Sequence, residues 1–196
     1  MRHILTLAAV SAAALSLPAT ALAQAVPGAV VVVVDTNRVS NECNACKTAI
    51  ATLRSQAQAL QTRQQTLATQ LRPEGEAIQK EIDALAGKAP SDALKTRAQA
   101  FQKKEQDAQE ELERGRQNLQ AIQANVLRQI NDKMEPAISQ VMTQRGANLA
   151  VDVGASLAHT PAVDVTNAVL AAVNATLPSV SMTAPAQPAQ STTQGR

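Results

Sequence analysis

Apolar residues recur along the first half of the chain in steps of four and three. The seam consists of small or apolar residues at Val39, Cys43, Cys46, Ile50, Leu53, Ala57, Leu60, Leu67, Leu71, Ile78 and Leu85. Such a heptad seam is typical of a helix that packs along another helix. A second seam with similar steps runs from Leu94 to Val141. The pattern therefore predicts two long paired helices.

The segment between the two seams has the residues of a turn. Gly87 is suited to end the first helix, Pro90 disfavours helix at the residue before it, and Ser91 can cap the second helix. Helices joined by so short a turn are antiparallel neighbours. We expect an arm over residues 40–146 with its tip near 87–91, in which facing residue numbers add to about 177.

Strand patterns flank the predicted arm on both sides. Residues 29–34 are an almost unbroken run of valine, which predicts a buried strand. After Gly146 the period changes to two, and residues 149–153 predict a second strand. An antiparallel hairpin returns the chain to its starting point, so the two strands can pair. The core of the body is expected to contain Val31, Val33, Leu149, Val151 and Val153.

The C-terminal part of the chain predicts three further pieces. Gly154 turns the chain, residues 156–159 can return as another short strand, and Asp164 can cap a short apolar helix. Residues 178–196 consist mainly of Pro, Ala, Gln, Ser and Thr with almost no charge. This composition predicts a disordered tail.

These elements together predict an α+β fold that is mostly α. A long antiparallel coiled-coil hairpin is inserted in a small β body, which residues 24–39 and 147–177 form. A hairpin that thin buries little apolar surface, so we expect oligomerisation through the base.

The first 23 residues predict a signal peptide. A short positive start precedes an apolar run from Ile4 to Leu17, and Ala21-Leu22-Ala23 has the A-x-A form of a cleavage site. The run is too short for a comfortable permanent membrane anchor. We therefore expect an exported protein that begins at Gln24 and resides in the periplasm.

Composition argues against a nucleic-acid partner. Phe101 is the one aromatic residue, and the formal charge of +2 becomes +1 when Arg2 is removed with the signal peptide. Proteins that bind nucleic acids are commonly basic, and many stack bases on aromatic rings. Neither property is present.

Four residues interrupt the predicted helices. Pro73 and Gly75 lie in the first helix, and Gly115 and Pro136 lie in the second. Proline within a helix removes a hydrogen bond and clashes with the preceding turn, so we expect a kink or a short break near Pro73. We interpret all four as candidate hinges of the arm.

Cys43 and Cys46 form a C-x-x-C motif near the start of the first helix. A helix N-terminus raises thiol reactivity, but the βαβ pattern of thioredoxin-like proteins is missing. A zinc site would need two more ligands, and the chain after the signal peptide offers only His159. Both cysteines occupy the seam, facing residues 130–134. We therefore favour a structural disulfide, within this turn or between subunits, and expect no cofactor, metal or catalytic site.

These features together resemble the Skp/OmpH family of periplasmic chaperones. The resemblance rests on VVVVDTNR at residues 31–38, NLAVDV at 148–153, and VDVT at 163–166 before the short helix. It implies a homotrimer shaped like a jellyfish, in which strands form a β body and three arms surround a cavity. The five residues expected in the core of the body would then also form the trimer core. It also implies an ATP-independent holdase that binds unfolded outer-membrane proteins, prevents their aggregation and delivers them for assembly.

The distal arm departs from the strongly basic arms of some family members. Residues 78–103 carry five basic and three acidic side chains, a net charge of +2. Exposed charges are also screened beyond about 10 Å in ordinary salt, which argues against a membrane-surface or lipopolysaccharide role. The candidates for contact with client proteins are Lys80, Lys88, Lys95, Arg97 and Lys103.

Two other classes of function remain open. Efflux-pump adaptors also extend a periplasmic hairpin, but they place it between halves of a lipoyl-like β domain, and this chain has too few strands for that. A thiol-redox protein would rest on Cys43 and Cys46 alone. We interpret the chain as a chaperone and not as an enzyme.

Overall fold

The computed structural model describes residues 27–185. The predicted signal peptide and the last part of the predicted tail lie outside these residues. The elements are, in order, β1 (Val31–Val34), α1 (Thr36–Glu42), α2 (Asn44–Ala84), α3 (Asp92–Arg145), β2 (Leu149–Asp152) and α4 (Thr166–Thr176), with 3-10 turns at Val153–Ala155 and Pro161–Val163. The fold class is confirmed: the chain is mostly helical, and a long hairpin is inserted between two short strands.

Helices α2 and α3 form the antiparallel arm. They contain 41 and 54 residues, so at about 1.5 Å per residue they extend for roughly 60 and 80 Å. The Ser91 hydroxyl caps α3 by accepting a hydrogen bond from the backbone N–H of Leu94 at 3.2 Å. Gly87 in the tip turn and Gly146 after α3 have positive φ values of 87° and 64°. Both therefore have the left-handed backbone that favours glycine at such positions.

The first helix is divided near its beginning. Helix α1 begins after Asp35, whose carboxylate accepts a hydrogen bond from the backbone N–H of Arg38 at 2.7 Å. Cys43 then has extended backbone, with φ −60° and ψ 145°, and separates α1 from α2. The heptad pattern did not reveal this division, because Val39, Cys43 and Cys46 all remain buried.

Helix α2 continues through Pro73 and Gly75, so the short break expected there is absent. Helix α3 likewise continues through Gly115 and Pro136. A proline removes only one backbone donor, and packing along the partner helix supports the turns on either side. The hinge role of these four residues stays a prediction.

The two arm glycines make room for large side chains of the opposite helix. A Cβ atom on Gly75 would lie 2.9 Å from Cζ of Phe101, and one on Gly115 would lie 2.7 Å from Cδ1 of Leu60. Real Cβ atoms do not approach other carbons so closely. Gly75 and Gly115 therefore leave space in the seam for the side chains of Phe101 and Leu60. Both facing pairs agree with the predicted register.

The core lies at the base of the arm and is mostly helical. Residues of β1, α1 and α4 pack there against the first turns of α2 and the last turns of α3. The fully or almost fully buried side chains include Val34, Val39, Cys46, Val126, Val141, Val169 and Val173. The body is therefore a small helical cluster carrying two strands, rather than mainly a β unit.

The two strands pair in parallel, with Val31 opposite Leu149 and Val33 opposite Val151. The strand expected at residues 156–159 is wrong. That segment is irregular, and Leu157 is fully exposed. The apolar residues of the segment therefore do not pack against the core as those of a strand would. Val153 leaves the strand for a 3-10 turn.

Residues 178–185 are ordered, which corrects the prediction that the tail is disordered from residue 178. Val180, Met182 and Ala184 pack against the core, while the residues between them are exposed. The composition of the tail does not reveal this packing, because three apolar residues at every second position are enough to attach the segment to the core. Residues 186–196 lie outside the described part of the chain.

We predict that Gly75 and Phe101 are energetically coupled. Gly75→Ala alone should gain little or lose stability, because the new Cβ displaces the Phe101 ring. In a Phe101→Ala background the same change should stabilise the protein by about 1 kcal/mol, the ordinary helix preference of alanine over glycine. Urea unfolding of the four proteins of this double-mutant cycle measures the coupling, with Gly28→Ala as a control because no atom lies within 4 Å of a Cβ there. Equal effects in both backgrounds would contradict the close contact.

Candidate functional site

Three ion pairs join α2 to α3 across the arm. They are Arg63 with Glu111 at 2.6 Å, Lys104 with Glu74 at 2.7 Å and Arg97 with Glu81 at 2.8 Å. Hydrogen bonds from Arg63 lower the pKa of Glu111, and the neighbouring charge acts in the same direction. The apolar seam does not reveal these pairs, but opposite charges at facing positions of the predicted register would have done so.

The arm beyond the base has a very small apolar interior. Ile78, Leu94 and Ala108 are its buried side chains within the described residues. The cross-arm ion pairs are exposed, and such pairs contribute at most about 1 kcal/mol each. Few buried contacts and exposed polar links are the properties of a segment that opens and bends at low cost.

Most of the predicted client-facing charges are paired within the chain. The pairs are Lys95 with Asp92 at 2.9 Å, Lys103 with Asp107 at 3.0 Å, and the Arg97 pair with Glu81. Lys80 and Lys88 form no ion pair with a described residue. Three of these five side chains are therefore already paired within the chain, and client contact by the five stays a prediction.

The tip of the arm contains an apolar cleft of about 320 Å³. Ile82, Leu85, Pro90 and Leu94 line it together with Lys88 and other residues of the turn. Ile82 is an exposed large apolar side chain. An extended apolar segment could contact the arm here.

The two faces of the sheet have different environments. Val32 and Val34 face the core. On the other face, Val33 is buried, whereas Val31 and Leu149 are 37% and 47% exposed. A groove of about 400 Å³ on that face is lined by Val31, Val33, Val151, Val163 and parts of the 155–160 loop. This face, which we call the outer sheet face, holds four of the five residues predicted for the body and trimer core, and Val153 follows at the end of the strand.

Two carboxylates connect strand ends to helix starts. Asp152 accepts hydrogen bonds from the Thr36 hydroxyl at 2.5 Å and from the Gly154 N–H at 2.8 Å. These bonds lower the pKa of Asp152. Asp164, expected as the cap of α4, lies one residue before the actual N-cap, Val165. Its carboxylate accepts a hydrogen bond from the backbone N–H of Thr166 at 2.8 Å, and bonds from Thr166 lower its pKa as well. Asp152 thus joins Thr36, the first residue of α1, to the end of β2.

Cys43 and Cys46 form a disulfide, and both residues are buried. The Cys43 sulfur accepts a hydrogen bond from the Cys46 N–H at 3.0 Å, at the first turn of α2. Asn174 of α4 accepts from the Asn44 N–H at 2.8 Å. The disulfide therefore lies where α1, α2 and α4 meet. Its structural role in the cell stays a prediction.

Two other kinds of functional feature are absent from residues 27–185. No group of three or more His, Cys, Asp and Glu side chains there is arranged to hold a metal ion. No helix in the same residues is long and apolar enough to cross a membrane.

Fold and site together define a protein with a long, sparsely packed helical arm on a small α/β base. Residues 30–173 match the model of a protein family described as outer membrane protein (OmpH-like). The chain therefore belongs to the OmpH-like family, and the resemblance seen in the sequence is confirmed.

A solved structure has the same fold. It is the crystal structure of an OmpH-like protein from Caulobacter crescentus CB15, described there as a proposed outer membrane chaperone. The two chains superpose with a TM-score of 0.65 and are 24% identical, over 80% of this chain and 89% of the other. At this identity the likeness shows the fold alone. A search of curated proteins found no significant match.

We predict that Asp152 makes stability depend on pH at acid values. Its folded pKa is lowered, so its contribution is present above the unfolded pKa of about 4 and is lost as the pH falls through the folded value. Asp152→Asn should reduce stability at neutral pH and flatten the decline between about pH 5 and pH 2. Thermal unfolding across this range tests the prediction, with Glu135→Gln on the surface of α3 as the control. An unchanged pH slope in Asp152→Asn would contradict it.

We predict that the disulfide stabilises the base of the arm and that binding of a client protein does not require it. A closed loop this short should contribute roughly 2 kcal/mol, so the Cys43→Ala/Cys46→Ala variant should unfold at lower urea while remaining helical. Thiol titration of the native and denatured wild-type protein is the second measurement. Two reactive thiols in the native protein would contradict the structural assignment.

Proposed function

We propose that this protein is a periplasmic chaperone that holds unfolded outer-membrane proteins without ATP. The observation that carries the proposal is membership of the OmpH-like family, in a chain whose long arm has almost no interior beyond its base. The Caulobacter protein, which has the same fold, is itself described as a proposed outer membrane chaperone. The expected signal peptide supports the location.

The arm suits a holdase because its contacts are weak and numerous. Unfolded barrel proteins expose alternating apolar strands that otherwise pair edge to edge and aggregate. A chaperone without an energy source must bind such chains reversibly. A mobile arm with an apolar cleft at its tip and mostly paired charges can cover a chain without fixing its structure, and it can release the chain when a better partner appears.

We propose that three copies assemble through the outer sheet face. That face carries partly exposed valine and leucine side chains, and the loop that borders its groove contains the fully exposed Leu157. The free edge of β2 is a second element of this interface, because within the described residues β2 pairs only with β1. Unpaired strand edges readily pair with another chain. Three arms on one base would then enclose a cavity for the client.

The central experiment is aggregation of an unfolded outer-membrane barrel protein on dilution from denaturant. The protein without its signal peptide should suppress light scattering, with saturation at one trimer per client. The Cys43→Ala/Cys46→Ala variant should suppress it equally, because we assign no redox step. An equal amount of an unrelated helical protein is the control. Absence of suppression would overturn the proposal and leave a hairpin adaptor as the better explanation.

A further inference from the structure

The segment after α4, residues 178–185, lies along α3 as an extended chain. Side-chain amides of α3 form hydrogen bonds with its backbone. The Gln129 amide forms two hydrogen bonds with one residue of this segment. Its Oε1 accepts from the Ser181 N–H at 2.9 Å, and its Nε2 donates to the Ser181 carbonyl at 3.0 Å. A side chain on a helix thus satisfies both backbone groups of Ser181, as a neighbouring strand would.

Asn125, one helical turn before Gln129, continues this pairing two residues further along the segment. Its Nδ2 donates to the Thr183 carbonyl at 2.9 Å. Its Oδ1 accepts from Arg128 at 2.7 Å, and Arg128 is paired with Asp132 at 3.1 Å. Because a guanidinium only donates hydrogen bonds, this contact turns the amide nitrogen of Asn125 toward the segment. Asn125 is 7% exposed, so its amide is fixed by its neighbours.

The side chains of the segment alternate in the manner of a half-buried strand. Val180, Met182 and Ala184 pack against the core, and the residues between them point outward. A cavity of about 200 Å³ lies beside Val180 and Met182, between the segment and the first turns of α2. The hydrogen bonds all go to backbone groups, so the groove recognises an extended backbone with apolar side chains at every second position.

We propose that this groove is a second client-binding site, which takes extended strand segments of unfolded barrel proteins, and that residues 178–185 are its built-in competitor. The proposal rests on the proposed function for the identity of the client. Barrel strands alternate apolar and polar residues with a period of two, which is the pattern seated here. Backbone recognition by Gln129 and Asn125 would make the site tolerant of many client sequences.

The tethered segment keeps the groove covered until a client competes with it. A segment attached to α4 by a few residues acts at an effective concentration in the millimolar range, so a single free peptide displaces it poorly. A client that the arms already hold is tethered too, and it competes on similar terms. The segment would therefore shield the groove in the empty protein and yield to captured chains.

The test uses full-length variants in which the segment is unseated. Val180→Asp/Met182→Asp places two charges on the packed side, and Ser181→Asp/Thr183→Asp places the same charges on the exposed side as a matched control. Fluorescence polarisation measures binding of a labelled peptide copied from one strand of an outer-membrane barrel protein. We expect the inward variant to bind this peptide about tenfold more tightly than wild type and the outward variant. Adding Gln129→Leu to the inward variant should remove the gain.

Equal peptide affinity in the inward and outward variants would overturn the inference. If the inward variant loses its helical circular dichroism, a second measurement decides: hydrogen exchange of wild-type protein with and without an unfolded barrel protein. Faster exchange of the amide of Ser181 in the presence of client supports displacement, and unchanged exchange contradicts it. Light scattering with wild type separates the two proposals. If wild type suppresses light scattering but the inward variant binds the peptide no more tightly, the groove proposal alone is refuted. If wild type does not suppress light scattering, the proposed function as a chaperone for barrel proteins is refuted.

Discussion

The packing of α4 against the base of the arm is the contact on which the rest of the structure depends. Two long helices with a narrow apolar seam bury too little surface to be stable alone. Val169 and Val173 are fully buried in the core that α4 shares with α1 and the last part of α3. Because α4 follows the arm in sequence and β1 precedes it, this contact closes the chain around both ends of the hairpin.

The protein consequently divides into a densely packed base and a sparsely packed arm. At the base, a disulfide, the Asp152 hydrogen bonds and the valine core all lie close together. Toward the tip, stability rests on single packed pairs such as Gly75 with Phe101 and on exposed ion pairs. The proposed activity needs this gradient, since a rigid arm could not adapt to many clients and a loose base could not carry the three arms of the proposed trimer.

The sequence was informative wherever one strong periodicity determined the structure. The heptad seam identified the hairpin and its register, and Gly87 and Ser91 marked its tip. The sequence was not informative where a single residue or a long-range contact determined the local structure. One extended residue at Cys43 leaves the apolar spacing unchanged, and the ordering of residues 178–185 depends on Gln129, 52 positions earlier. The arm glycines suggested flexibility, but the contacts that explain them lie on the opposite helix.

Photo-crosslinking with an unfolded barrel protein tests whether the arm holds the client while the outer sheet face joins copies of the chain. Crosslinkers placed at Lys80 and at Lys88 on the distal arm should each capture the client. A crosslinker at Leu157 beside the outer sheet face should instead join copies of the chain to one another. Client capture at Leu157 with none from the arm would contradict the account.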